Sequence, residues 1–85
     1  MSEVYIFFAN GFEEIEGLTV VDLLRRAKIN ITTVSITESQ EVTGAHNIKV
    51  IADELFGESD YDNAKMLILP GGMPGTTHLL EYKKL

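Results

Sequence analysis

Residues 4–27 read VYIFFANGFEEIEGLTVVDLLRRA, and the reading of this stretch decides the fold. Residues 4–9 are continuously apolar and rich in β-formers, which predicts a strand buried on both faces. Asn10-Gly11 breaks that strand. From about Glu14 the apolar period becomes helical: Ile15, Leu18, Val21 and Leu24, widened by Val20, Leu23 and Ala27, make a broad stripe. Glu13, Glu14 and Glu16 crowd the start of the predicted helix, and Arg25, Arg26 and Lys28 its end, the polarity that the helix dipole favours.

Working outward, residues 29–37 carry Ile29, Ile31, Val34 and Ile36 among threonines, a β-branched stretch that predicts a second strand. Strand, helix and strand with short links form a βαβ unit, so the two strands are expected to be parallel. Val42-Thr43 and Ile48-Lys49-Val50-Ile51 flank Gly44 and predict two short strands around a turn, an edge excursion of the sheet. Residues 53–63 are acidic and loop-like, with one helical turn near Leu55-Phe56. Residues 66–69 (MLIL) read as another buried strand, running into Pro70-Gly71-Gly72. A final helix is expected from Thr76 or Thr77 through Leu79, Leu80 and Leu85.

Eighty-five residues hold one small domain. A net charge of −6 argues against a nucleic-acid surface, because an acidic chain repels phosphate backbones. No cysteine is present, so there is no disulfide framework, and two histidines alone make a poor basis for a structural zinc site. The longest apolar run is far shorter than the roughly 20 residues of a membrane span, and Glu3 replaces the basic lead-in of a signal peptide. A cytoplasmic protein without membrane or nucleic-acid partners, bound metal or cofactor is the expectation.

A parallel sheet whose strands are apolar on both sides needs helices on both faces. This sequence supplies one full helix and the start of another. Even complete domains of this size bury only about 60% of their unfolded surface. These residues are therefore expected not to stand alone: either more of the same protein or a second copy completes the sheet.

Three groups of residues invite a chemical reading. Glu13 and Glu16 are three apart and share a helix face, while Glu14 points away. A carboxyl at the carboxyl end of a strand, beside Phe12 and Ile15, can serve as a proton donor; acids in a first helical turn also offset the dipole without any chemistry. Gly71-Gly72 turns tightly and leaves backbone N–H groups uncovered, which suits an oxyanion; an ordinary strand-to-helix turn is the alternative. Neither strand is followed by G-x-G-x-x-G or G-x-x-x-x-G-K-[ST], so support for a nucleotide is weak. His46 and His78 read as isolated surface residues, and Arg25 and Arg26 as serving the helix C-terminus.

Taken together, G-F-E-E-I-E at residues 11–16, V-D-L-L-R-R-A at 21–27 and L-I-L-P-G-G at 67–72 resemble the ThiJ/PfpI family, the DJ-one superfamily. The resemblance covers the whole chain in order and spacing. It implies a flavodoxin-like α/β parallel-sheet sandwich of about twice this length, of which residues 1–85 are the N-terminal half. It also implies a cysteine on a strand-to-helix elbow some thirty residues after the P-G-G turn. Glu16 matches the glutamate that hydrogen-bonds that thiol, and Gly71 and Gly72 match the oxyanion-side turn. Arg26 and His46 match positions near the site across a dimer interface, although many relatives have Arg at the latter. The family's first helix usually ends R-R-A-G, with glycine in the left-handed position; Lys28 stands there instead, at a cost of up to ~1 kcal/mol. The absent cysteine is expected to lie beyond Leu85, and a cut near residues 82–84 would suit proteolysis of a longer protein.

The resemblance thus implies a cysteine-dependent enzyme or redox sensor in the whole protein, of glyoxalase, deglycase or amide-hydrolase type. Its partners would be the remaining half or a second copy, with a homodimer expected. The rival is a chaperone-like interaction module on the same fold; a flavodoxin-like nucleotide binder is a third option.

Overall fold

A computed structural model describes residues 4–58, 61 and 64–71. Strand β1 (Val4–Phe8) leads into helix α1 (Glu14–Arg26), then β2 (Ile31–Ser35), β3 (Glu41–Thr43), β4 (Lys49–Ile51), β5 (Glu54–Leu55), a single 3-10 turn (Phe56–Glu58) and β6 (Met66–Ile68). Four strands form one sheet in the order β5-β2-β1-β6, every pairing parallel. The βαβ unit is as its apolar periods predicted: Val4 pairs with Ile31 and Phe8 with Ser35. The final helix expected from Thr76 or Thr77 lies outside the described residues.

β1 is central, and all five of its residues are buried. Alternation along it divides the core. Val4, Ile6 and Phe8 join Phe12, Val21 and Val42 on one face, while Tyr5 and Phe7 join Ala9 and Val34 on the other, against Phe56 and Tyr61. The rings of Phe8 and Phe12 stack with centroids 4.4 Å apart, which pins the turn after β1 onto the strand that precedes it.

Four expectations are corrected. The helix stripe is rotated: Ile15, Leu18 and Leu23 are exposed, and the buried face runs through Glu14, Gly17 and Val21. Gly17 carries no apolar side chain to count, yet it faces the core so closely that a Cβ there would lie 3.0 Å from the Phe8 ring and 3.1 Å from that of Phe12. β3 and β4 do not extend the sheet. They form a separate antiparallel hairpin, Val42 opposite Val50, that buries Val42 against the β1–α1 face. Residues 54–55, read as loop, are an edge strand beside Val34-Ser35. Asp53 holds them there, its carboxylate accepting from the Thr33 N–H at 3.0 Å while its own N–H donates to Thr33 Oγ1 at 2.8 Å. Finally, β6 pairs only with β1 among the described residues, so Met66, Leu67 and the following Leu69 are exposed instead of buried on both sides.

The end of α1 follows the expectation for Lys28. Its φ is +62°, the Lys28 N–H donates to Arg25 O and the Ile29 N–H to Leu24 O. This pair of bonds closes the helix in the Schellman pattern with a lysine where glycine is favoured.

Candidate functional site

The chain leaves β1 toward β2 on one side and later reaches β6 on the other, so the strand order reverses between β1 and β6. At such a switch point the connections diverge and open a crevice beyond the carboxyl ends of the strands. Two segments meet there. The Glu13 N–H donates to Gly71 O at 2.8 Å, and the Gly71 N–H donates to Glu16 Oε1 at 3.1 Å. Gly71 is thereby joined to Glu13 through the main chain and to Glu16, 55 positions away, through a side chain. Glu16 is exposed on the first turn of α1. Of the three residues expected to act together, Glu16 and Gly71 are adjacent; Gly72 lies outside the described residues.

Glu13 is the N-cap of α1, its carboxylate accepting from the Ile15 N–H. Glu14 turns inward, away from the exposed Glu16, but not away from Glu13: Glu13 is the extended N-cap, outside the helical spacing, and both carboxylates reach His46. Glu14 is 2% exposed. Its Oε2 accepts from the backbone N–H groups of His46 at 2.7 Å and Ile48 at 3.2 Å, and its Oε1 meets His46 Nδ1 at 2.8 Å. Burial pushes this carboxyl up, but the His46 ring and the backbone donors outweigh it and hold the group at about 2. No periodicity pointed to this residue, because its partners come from the β3–β4 turn. Gly44 in that turn leaves the space that the Glu14 carboxylate fills, and a Cβ at Gly44 would overlap it.

His46 is therefore not isolated. Its Nδ1 also lies 3.5 Å from Glu13 Oε1, and the ring stays 60% exposed. The hydrogen bond to Glu14, followed by the charges of Glu13 and Glu14, raises its pKa against a smaller effect of burial. One carboxylate oxygen from each glutamate and a ring nitrogen of His46 lie within 4.8 Å of one another, a set able to ligate a cation. Backbone bonds from Gly11 to Thr43 O and from Ala45 to Phe12 O strap the same hairpin to the turn after β1.

Arg26 is not brought to this end. It is ten residues beyond Glu16 on the helix, about 15 Å along its axis at 1.5 Å per residue, and it pairs with Asp22 at 2.9 Å in an exposed i,i+4 bridge. Arg25 does more than serve the helix end: it reaches Asp53 at 2.9 Å and Ile31 O at 3.3 Å, tying α1 to β2 and the start of β5. His78 lies outside the described residues. Among the described residues no helix is long and apolar enough to cross a membrane.

A model of the DJ-1/PfpI family matches residues 2–85. Protein DJ-1 homolog B of Arabidopsis thaliana is 31% identical over 83 residues, which are 98% of this chain and 19% of that protein. The structure of oxidized DJ-1 from Toxoplasma gondii superposes with a TM-score of 0.91 at 28% identity, covering 98% of this chain and 45% of that one. A cysteine-to-alanine variant of a DJ-1 superfamily protein from Salmonella typhimurium gives 0.87 at 35% identity, covering 93% and 43%. The parallel sheet has the flavodoxin-like arrangement of these neighbours, and this chain spans less than half of their length.

Proposed function

The chain belongs to the DJ-1/PfpI family, and we propose that it forms the N-terminal half of a family domain whose remainder supplies a cysteine to the Glu16–Gly71 crevice. The observation that carries this reading is the hydrogen bond from the Gly71 N–H to Glu16 Oε1 at the strand-order reversal. It fixes one carboxyl oxygen and leaves Oε2 to face a reactant. A carboxyl hydrogen-bonded to a thiolate stabilises the charged sulfur and lowers the cysteine pKa into the reactive range. The family resemblance assigns Gly71 and Gly72 to the oxyanion side of that reaction, with the Gly71 N–H engaged by Glu16. This reading is supported by two relatives, one from Toxoplasma gondii solved in an oxidized form and one from Salmonella typhimurium solved with a cysteine replaced by alanine.

The whole protein is then a cytoplasmic, homodimeric, cysteine-dependent enzyme or redox sensor without a bound cofactor. In the glyoxalase or deglycase reading the thiolate sulfur bonds to an aldehyde carbon, the carbonyl π pair moves to oxygen, and that oxygen takes a proton. Arg26 and His46 would lie toward the second subunit.

The test is the pH profile of thiol alkylation in the whole protein, with Glu16 and with Glu16→Leu. Loss of the carboxyl should raise the thiol pKa and slow alkylation near neutral pH about tenfold or more, one pKa unit being a factor of ten in thiolate. An unchanged profile would rule out Glu16 as the thiolate's partner. Exposed Ile15, Leu18 and Leu23 on α1 favour a second reading, an interaction module of chaperone-like type. Under that reading Ile15→Asp abolishes the suppression of client aggregation while Glu16→Leu leaves it intact.

A further inference from the structure

We propose that Glu13, Glu14 and His46 form a binding site for a divalent transition cation such as Zn2+, distinct from the Glu16–Gly71 pair and independent of any cysteine chemistry. The ligand atoms are Glu13 Oε1, Glu14 Oε1 and His46 Nδ1. The nitrogen stands 3.5 Å from the first oxygen and 2.8 Å from the second. Zinc–oxygen and zinc–nitrogen bonds of about 2.0–2.2 Å at tetrahedral angles set ligand atoms about 3.3–3.6 Å apart. The first separation lies within that range and the second falls short of it by about half an ångström, so an ion enters once Glu14 Oε1 and the imidazole draw apart by that much.

The outer contacts are those of a prepared ligand set. Glu14 is 2% exposed, and two backbone N–H groups, from His46 and Ile48, hold its Oε2. That leaves Oε1 turned to the imidazole. Glu13 is steadied by the Ile15 N–H. Hydrogen-bonded carboxylates of this kind fix the geometry of a metal site as much as the ligands do. The imidazole is 60% exposed on this chain, which leaves a fourth position for water or for a group from the second subunit. An imidazole with two carboxylates suits zinc, nickel or cobalt better than calcium or magnesium, which favour oxygen alone. The N-terminal end of α1 opposes a cation with about half a charge, which the two carboxylates exceed.

Binding would clamp the β3–β4 turn to the start of α1, since Glu13 and Glu14 belong to the helix end and His46 to the hairpin turn. The experiment is a ZnCl2 titration of the whole protein that carries this chain, following the His46 ring by NMR and thermal unfolding in parallel. Wild type should take one ion per site with a shift of the His46 ring signals and a rise in Tm. His46→Asn and Glu13→Gln should each weaken binding about tenfold or more and abolish the rise. Both positions have accessible side chains, and the glutamine retains an oxygen for the Ile15 N–H. Ring signals unmoved up to millimolar zinc, or a Tm rise that survives His46→Asn, would overturn the assignment.

Discussion

The Glu14 carboxylate and residue His46, 32 positions apart, are joined twice: ring nitrogen to Oε1 at 2.8 Å and backbone N–H to Oε2 at 2.7 Å. One buried acid in the first turn of α1 thus organises a turn that contributes only Val42 and a partly buried Val50 to the core. This makes Glu14 a structural residue beside the candidate site, and it separates three neighbouring glutamates by role. Glu13 caps the helix, Glu14 holds the hairpin and Glu16 faces Gly71.

Glu14→Ala should free the hairpin and destabilise the protein more than alanine at the exposed Glu16. It strips the N–H groups of His46 and Ile48 of their acceptor and leaves a void beside Gly44. Hydrogen exchange is the direct check. The amides of Gly11 and Ala45, which bond Thr43 O and Phe12 O, should lose protection while those of β1 keep theirs.

Stability should pass through a maximum in mildly acidic solution. Glu14 is held at about 2, below its ordinary 4.5, so its contribution is full above 4.5 and disappears as pH falls toward 2. His46 is raised above its ordinary 6.5, so its contribution is full below 6.5 and is lost as pH rises through the folded value. Urea midpoints measured across pH would show both limbs. His46→Asn should flatten the alkaline limb and shrink the acid limb, leaving in the latter the part that the backbone donors to Glu14 supply.

Lys28→Gly should stabilise the protein by about 0.5–1 kcal/mol, because the residue sits at φ +62° and glycine adopts that conformation without a Cβ clash. The urea midpoint should rise with an unchanged slope. A fall would show that the lysine side chain contributes more than its backbone costs.

Gly17→Leu should cost about 1–3 kcal/mol, against the gain in helix propensity that leucine brings elsewhere. The rings of Phe8 and Phe12 that a side chain would meet are 1% and 0% exposed and already stacked on each other, so neither has room to withdraw. Thermal unfolding would register the loss.

Gly71→Pro should act in the same direction as Glu16→Leu on thiol reactivity in the whole protein, because proline removes the N–H that holds Glu16 Oε1. The two effects should not add, since both break one contact. A double substitution that slows alkylation by the product of the single effects would show that they act separately.

β1 and β2 were legible as apolar, β-branched runs and α1 from its helical period and charge polarity, whereas the left-handed position of Lys28 was legible only through the resemblance to the family's helix end. Glu16 and Gly71 were legible as a pair only through the resemblance of their motifs; spacing alone left both open to bland readings. Residues 54–55 were not legible as a strand, since two residues have no period. The exposure of Met66, Leu67 and Leu69 goes with this chain's spanning less than half of the fold its neighbours share, and not with any pattern along β6.

By itself the sequence determined that the longer segments β1, α1 and β2 become strand, helix and strand, since local apolar pattern and turn chemistry act over a few residues. It also determined that Glu14 and Glu16 leave α1 in different directions, which follows from 100° per residue, but not that the N-cap Glu13 sides with Glu14. Only the tertiary structure decided what Glu14 meets. The β3–β4 turn folds back over the start of α1 because Val42 must bury against β1, and that movement carries His46 to the carboxylate. A contact across 32 residues depends on where two elements pack, and packing is set by the summed burial of the whole face and not by any local pattern.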